Sequence, residues 1–136
     1  MKRIMALLAV ATLFVAANHV QADGEHHKKV PLESINGSGI SGWVNIVQLP
    51  HGGSNIVVTV EGLKRGSSYA SFYYESSDCN APADEFQEFT GGDDGTATLH
   101  GKIDDDLDEV GSVSVRVGPG YGDLLACADV AAAGQE

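Results

Sequence analysis

A central stretch of the chain, residues 56–75, shows a regular pattern of hydrophobic and polar positions. At its start, every second residue is a branched aliphatic side chain: Ile56, Val58 and Val60. This period of two is typical of a strand with one face in a core. Residues 62–66 then turn the chain between two glycines, and a second apolar run occupies 69–75. The pattern predicts two strands around a tight connection, with the core on one side.

Similar runs predict further strands before and after this pair. They lie at residues 43–49, 96–100, 111–117 and 124–130. Turn-forming residues such as glycine, asparagine and aspartate separate them, and runs with a helical period are scarce. About six short strands at this spacing predict an all-β domain, either a β-sandwich or a barrel.

The strand at 111–117 has the cleanest alternation. Three valines are expected to face the core: Val113, Val115 and Val117. The residues between them are expected to face away from it: Ser112, Ser114 and Arg116. In the strand at 43–49, Asn45 and Gln48 are expected to point toward solvent.

The first 22 residues have the pattern of an export signal. Lys2 and Arg3 precede an almost unbroken apolar run at 4–17, and small or aliphatic residues follow at the positions that a signal peptidase reads, ending at Ala22. We interpret residues 1–22 as a cleaved signal peptide, which predicts a periplasmic or extracellular protein. The alternative is a retained membrane anchor. It is disfavoured because the run is shorter than the roughly 20 apolar residues that a membrane span needs.

The rest of the chain is short enough for one domain. Residues 23–36 are polar at their start and contain Pro31, so we expect a flexible N-terminal arm. The sandwich is expected over 37–130, with a C-terminal tail at 131–136. Residues 76–92 show no regular alternation. We interpret them as a loop that folds Phe86 and Phe89 against the edge of the sandwich.

Charge and cysteine content narrow the functional classes. The chain has 19 acidic residues against 8 Lys and Arg residues, and a formal net charge of −11. A surface this acidic repels nucleic acid and anionic lipid, so we expect neither as a partner, and no membrane association after signal cleavage. Cys79 and Cys127 are the two cysteines of a chain bound for an oxidising compartment, which predicts one structural disulfide.

Four segments and Cys79 together resemble the Cu/Zn superoxide dismutase family: residues 37–49, 56–66, 111–117 and 122–130. The resemblance rests on a strand that ends near a glutamine, on a following strand that closes on Gly-Leu with another glycine three residues on, and on a Leu-Ala-Cys strand whose cysteine bridges back to a loop. The matching residues are Gln48, Gly62, Leu63, Gly66, Leu125, Ala126, Cys127 and Cys79. It implies a Greek-key β-sandwich or flattened barrel of the superoxide dismutase-like type, stabilised by that disulfide.

The same resemblance argues against the family's chemistry. It places the first two copper-binding histidines at Ser71 and Tyr73, the late copper-binding histidine at Val117, and the arginine that attracts the anion at Leu124. A redox copper site needs several imidazoles, and none of these positions supplies one. We therefore expect no catalytic residues of the family type and no copper or zinc cofactor.

Other residues offer weaker candidate sites. Four histidines follow the predicted cleavage point and are weak candidates for copper or zinc: His26, His27, His51 and His100. The acidic run with Asp104, Asp106 and Asp108 lacks the glycine and glutamate of an EF-hand, so we interpret it as a solvated turn, with a weak Ca²⁺ site as the alternative.

Three tyrosines lie where the family keeps its first ligands: Tyr69, Tyr73 and Tyr74. They predict either a contact surface for a protein or glycan partner or ordinary cross-strand packing.

The sequence therefore favours an exported, non-catalytic superoxide dismutase-like domain that acts as a binding or structural module. The alternative is a copper- or zinc-binding antioxidant protein that uses the four histidines instead of the family's ligands. Residual dismutase activity is the least favoured interpretation. Members of the family often dimerise, so the resemblance leaves a homodimer open.

Overall fold

The computed structural model describes residues 26–133 of the chain. The predicted signal peptide at 1–22 lies outside these residues. Within the described part, no helix is long and apolar enough to cross a membrane.

Eight strands make up the described part of the chain, more than the six or so that the sequence pattern predicts. They are β1 (His27–Ser34), β2 (Ser41–Gln48), β3 (Ser54–Glu61), β4 (Ser68–Tyr74), β5 (Ala83–Thr90), β6 (Ala97–Ile103), β7 (Ser112–Val117) and β8 (Leu124–Asp129). A 3-10 turn, Leu107–Glu109, precedes β7, and a four-residue helix α1, Val130–Ala133, follows β8. The prediction of an all-β fold is confirmed.

The strands pair antiparallel in the order β5-β4-β7-β8-β1-β2-β3-β6. The eight strands fall into two halves, β5-β4-β7-β8 and β1-β2-β3-β6, because β8 and β1 pair only through Glu33–Cys127 and Ser34–Ala126. At the far ends of the order, β5 and β6 also meet, where the side-chain Nε2 of Gln87 donates to the carbonyl oxygen of His100 at 2.9 Å. The result is a nearly closed barrel that is flattened into a sandwich.

The core lies between the two halves. It is filled by the alternating aliphatic residues that the sequence pattern identifies, including Ile56, Val58 and Val60 from β3 and Val113 and Val115 from β7, all 0% exposed. Burying one such side chain contributes about 1.5–3 kcal/mol, so this row of residues is a main source of stability.

The predicted disulfide is present. Cys79 and Cys127 are bonded and lie 48 residues apart in the chain. Closing a loop of this length stabilises the folded state by roughly 4 kcal/mol in the chain-entropy model. The bond ties the segment after β4 to β8 across the outer surface of that sheet.

The prediction of a flexible arm at 23–36 is wrong for residues His27–Ser34, which form strand β1. Val30 and Leu32 of β1 are buried, and six residues of β1 pair with β2. Pro31, one reason to expect a flexible arm, is compatible with a strand because proline is tolerated where its nitrogen faces an unpaired edge. On its β8 side, β1 is paired only at Glu33 and Ser34, which leaves such an edge.

The prediction of a loop at 76–92 is also wrong for its second half, which forms β5. This strand pairs only with β4 and is largely exposed. Its charged residues suit an edge strand, where they oppose pairing with another chain, but they hide the alternation in the sequence. Phe86 and Phe89 pack against the core as expected, and Phe89 stacks on Tyr69 with ring centroids 5.6 Å apart.

Two further expectations need correction. The last strand is followed by a short helix, Val130–Ala133, which overlaps the predicted tail at 131–136. At the start of this helix, the Asp129 carboxylate accepts a hydrogen bond from the backbone N–H of Ala132 at 3.0 Å. Residues 134–136 lie outside the described part. In β7, Val117 lies on the same face as Val113 and Val115, opposite Tyr69, but it is the last residue of the strand and is 41% exposed rather than buried.

Candidate functional site

The positions implied for copper ligands do not fit a metal in this structure. Ser71 is buried, and its hydroxyl donates to the backbone carbonyl of Ser114 at 2.8 Å. Tyr73 is half-buried against the core, while Val117 is exposed. The three positions therefore offer one hydroxyl, one phenol and one aliphatic side chain, and none of these is a ligand that copper or zinc prefers.

The four candidate histidines do not converge. His27 and His100 are both exposed on the outer face of the β1-β2-β3-β6 sheet, but two strands separate them, so their Cα atoms are on the order of 14 Å apart. Each bonds to a neighbouring asparagine, His27 to Asn45 and His100 to Asn55, at 3.2 Å. Exposed His26 and His51 lie at the start of the described chain and in a turn. No group of three or more potential ligands within residues 26–133 could hold a metal ion.

The tyrosine cluster is packed into the protein. Tyr69 is 7% exposed and Tyr74 is 1% exposed, so the interpretation as an exposed contact surface is wrong for both. Tyr69 and Tyr73 pack against the main core. Tyr74 packs on the other side of β4, in a second cluster with Phe72 and Cys79. Cross-strand packing, the alternative reading, is what the structure shows.

The outer face of the β4-β7 pair is covered by a polar and aromatic layer centred on Arg116. This arginine was expected to face away from the core, and it does, but it is only 9% exposed. Its Nε donates to the Tyr74 hydroxyl at 2.9 Å. Its two terminal nitrogens donate to the backbone carbonyls of Gly122 at 2.9 Å and Cys79 at 3.0 Å. The guanidinium thus binds the disulfide segment and the β7–β8 loop at once.

Aromatic rings complete this layer. The Arg116 guanidinium carbon lies 3.8 Å from the centre of the Tyr121 ring, and that ring meets Phe72 edge-on with centroids 4.9 Å apart. Tyr121 forms the outer side of this layer and is 47% exposed. Desolvation of its hydroxyl raises its pKa, and a hydrogen bond with Tyr74 raises the pKa further. Arg116 also lies directly across the strand pair from Leu124, the position implied for the family's anion-attracting arginine. Because its donors are bound to protein acceptors, Arg116 is a structural residue here.

The outer face of the other sheet is bare. On β1-β2-β3-β6, three rows of four residues face outward, as the strand registers and burial define. We call these twelve positions the Trp43 face: Pro31, Trp43, Thr59, Thr98; Lys29, Asn45, Val57, His100; His27, Val47, Asn55, Lys102. With strands about 4.8 Å apart and same-face residues about 6.8 Å apart, four strands and three rows cover roughly 20 by 20 Å.

Trp43 and Val47 give this face its apolar character. They are 46% and 40% exposed, and both lie on β2, two positions either side of Asn45. The ammonium of Lys29 lies 4.9 Å from the centre of the Trp43 ring, in a cation–π contact. Trp43 and Val47 belong to the apolar run at 43–49, so the run by itself does not show that they face outward. The phase of Val44 and Ile46 would have placed both on the opposite face.

None of the twelve positions of the Trp43 face carries a carboxylate, and two of them carry lysines. Glu33 and Glu61 are exposed at one end of the face, and at the other end the Asp104 carboxylate lies 3.8 Å from the Lys102 ammonium, so acidic residues at the rim offset the two lysines. In a chain with a net charge of −11, this surface with its rim is therefore close to electrically neutral.

The acidic residues concentrate at another place, around the segment that precedes the 3-10 turn. Burial raises the pKa of Asp105, and the negative charges of Glu109, Asp84, Glu75 and Asp104 raise it further. Asp106 is different: hydrogen bonds from Gln48 and from the backbone N–H of Gly53 lower its pKa. The Gln48 amide oxygen also accepts from the Leu107 N–H at 2.7 Å, so Asp106 and Gln48 anchor this segment to β2.

A scan against protein-family models and a search of the curated proteins each found no match for this chain.

Arg116→Met should destabilise the protein by about 2–4 kcal/mol. The change removes three hydrogen bonds and leaves the Gly122 and Cys79 carbonyls without their donor. Urea unfolding with the disulfide intact measures the free energy. Arg65→Met is the control, since that side chain is 75% exposed and its loss should cost within about 0.5 kcal/mol. Equal stability of the two variants would contradict the structural role of Arg116.

Asp105→Asn should raise the Tm at pH 7 by about 2–4 °C, which corresponds to roughly 0.5 kcal/mol for a surface charge. The pKa of Asp105 is raised in the folded state, so its contribution to stability is fully present below the unfolded value of about 3.9 and is lost as the pH rises through the folded value. The gain from asparagine should therefore disappear below about pH 4. Thermal unfolding across pH tests this, with exposed Asp78→Asn as the control. A gain that persists at pH 3 would refute the charge explanation.

Proposed function

We propose that this chain is an exported, non-catalytic β-sandwich module of the superoxide dismutase-like type, and that it binds a partner through the Trp43 face. The observation that carries the proposal is the pairing of Trp43, 46% exposed, with Val47, 40% exposed, on an open sheet surface. Exposed aromatic and aliphatic residues grouped with polar side chains are typical of interaction sites.

Export and the disulfide support each other in this proposal. Disulfides form and persist in the periplasm and outside the cell, and Cys79 is bonded to Cys127. The superoxide dismutase-like type rests on the resemblance of the sequence. Two of the residues that carry it have structural tasks here: Gln48 anchors the segment at Asp106, and Gly62, at φ 83°, lies so close to the Gly39 carbonyl that a Cβ atom would collide with it.

The non-catalytic part of the proposal rests on what occupies the expected ligand positions and on the layer beside them. Ser71 and Tyr73 point toward the core side of β4. The opposite side of β4 is filled by Phe72, Tyr74 and the Arg116 layer. No specific observation favours the alternative, in which the separated histidines bind copper or zinc.

The first test is the metal content of the processed protein, purified without a chelator or an affinity tag. Elemental mass spectrometry should find copper and zinc far below one ion per chain, and a dismutase assay of the same sample should find no activity above that of free metal. Near-stoichiometric copper or zinc would overturn the non-catalytic proposal. It would move attention to His26, His27, His51 and His100.

The second test is a matched pair of variants, Val47→Asp and Val117→Asp. The two valines are 40% and 41% exposed, but only Val47 lies on the Trp43 face. The proteins are immobilised and exposed to the secreted and cell-envelope fractions of the cells that export them. Material retained by the wild type should still be retained by Val117→Asp and should be lost from Val47→Asp, because a buried unpaired carboxylate opposes binding.

Two outcomes would refute the assignment of this surface. One is equal retention by all three proteins. The other is loss from Val117→Asp alone, which would move the contact to the end of β7. A dimer that is seen by sedimentation of the wild type and is lost in Val47→Asp would identify a second copy as the partner.

A further inference from the structure

We infer that the partner of the Trp43 face is a neutral polysaccharide, which lies across the open sheet and stacks on Trp43. The inference rests on the proposed function and narrows it to one ligand class. It is carried by three properties of the described surface: its charge, its area and its hydrogen-bonding groups.

Charge disfavours an ionic polymer. The net charge of −11 repels polyanions at long range. The charges of the two lysines on the face are offset by Glu33 and Glu61 at one end and by Asp104, the ion-pair partner of Lys102, at the other. A polycation finds no carboxylate among the twelve positions, whereas acidic side chains are plentiful elsewhere on the molecule. A ligand without charge therefore matches this surface better than either kind of ion.

Area disfavours a folded protein partner. Twelve positions of about 4.8 by 6.8 Å each offer on the order of 400 Å², about half of the roughly 800 Å² that a stable protein interface buries on each side. An extended peptide is disfavoured for another reason: peptides add to free strand edges or lie in grooves. At the centre of the Trp43 face, both edges of β2 and of β3 are already paired with neighbouring strands. The unpaired edge of β1 lies at the margin of the face, so a peptide added there would not cover Trp43.

The groups that remain suit sugar hydroxyls and pyranose rings. Asn45, Asn55 and the two imidazoles at 27 and 100 provide donors and acceptors in two cross-strand pairs at 3.2 Å. Thr59 adds an exposed hydroxyl beside Trp43, and Thr98 adds a second one strand further along the same row. The indole, amphipathic and rigid, gives apolar contact area without a large loss of conformational entropy. A neutral chain of sugars can use all of these groups on a surface without a pocket.

Trp43 makes the test direct because it is the chain's single tryptophan, so tryptophan emission, excited selectively over that of the four tyrosines, reports on this face alone. The processed protein is titrated with four polysaccharides: hydroxyethyl cellulose and laminarin, which are neutral, and polygalacturonate and dextran sulfate, which are anionic. A saturable change in tryptophan emission is expected with at least one neutral polymer. It should vary less than about twofold between roughly 0.05 and 0.5 M salt, because no ion pair is involved.

Two pairs of variants locate and characterise the binding. Val47→Asp should weaken it by about tenfold or more, and Val117→Asp should leave it unchanged. Lys29→Gln keeps hydrogen-bond donors and removes the charge, so affinity for the neutral polymer should stay within about threefold. Affinity electrophoresis in gels that contain the same polymer gives a second readout that does not depend on fluorescence.

Failure of this inference can be separated from failure of the proposed function. Binding only to polygalacturonate or dextran sulfate, with loss at high salt and in Lys29→Gln, would overturn the neutral class and keep the face. No binding to any of the four polymers would overturn the polysaccharide. If Val47→Asp still abolished a protein or self-association partner in that case, the binding module would stand. If it abolished nothing, both proposals would fall.

Discussion

The hydrogen bonds of the Arg116 guanidinium are the interaction on which the layer covering the outer face of β4 and β7 depends. Arg116 is the one charged side chain counted among the buried residues of 26–133, and neither ion pair of that part of the chain involves it. Its charge is instead satisfied by the Tyr74 hydroxyl, two backbone carbonyls and the Tyr121 ring. A planar fork of donors meets these separate acceptors at fixed angles, which the single ammonium of a lysine would not do.

The rest of the layer follows from that contact. Because Arg116 binds the Cys79 and Gly122 carbonyls, the disulfide segment and the β7–β8 loop both lie against the sheet. The Tyr74 hydroxyl is thereby enclosed and bonds to Ser114 at 2.7 Å, and Ser112 donates to the Ser76 carbonyl at 2.7 Å. Polar residues that would otherwise sit on a solvated face are buried and paired, so β4 and β7 are covered on both sides.

The sequence predicts this fold well where a strand has one buried face and two paired edges. Ile56, Val58 and Val60 show their period of two for that reason, and the disulfide follows from two cysteines in an exported chain. Prediction fails for β1 and β5, in which incomplete pairing tolerates Pro31 and a run of carboxylates. It also fails for the outer faces: no local pattern tells that Arg116 is covered and that Trp43 is bare, because each depends on segments distant in the chain.

The contrast between the two outer faces is the strongest reason to regard Trp43 as functional. On one sheet, Phe72 and Tyr74 were removed from water by a loop, an arginine and a disulfide, which shows that this chain can cover aromatic residues on an outer face. On the other sheet, neither a loop nor α1 covers Trp43 and Val47 in the described residues. Covering a Trp side chain removes a large apolar area from water, each 100 Å² of which contributes about 2.5 kcal/mol. A partner on the Trp43 face would gain that free energy, which the folded chain alone does not.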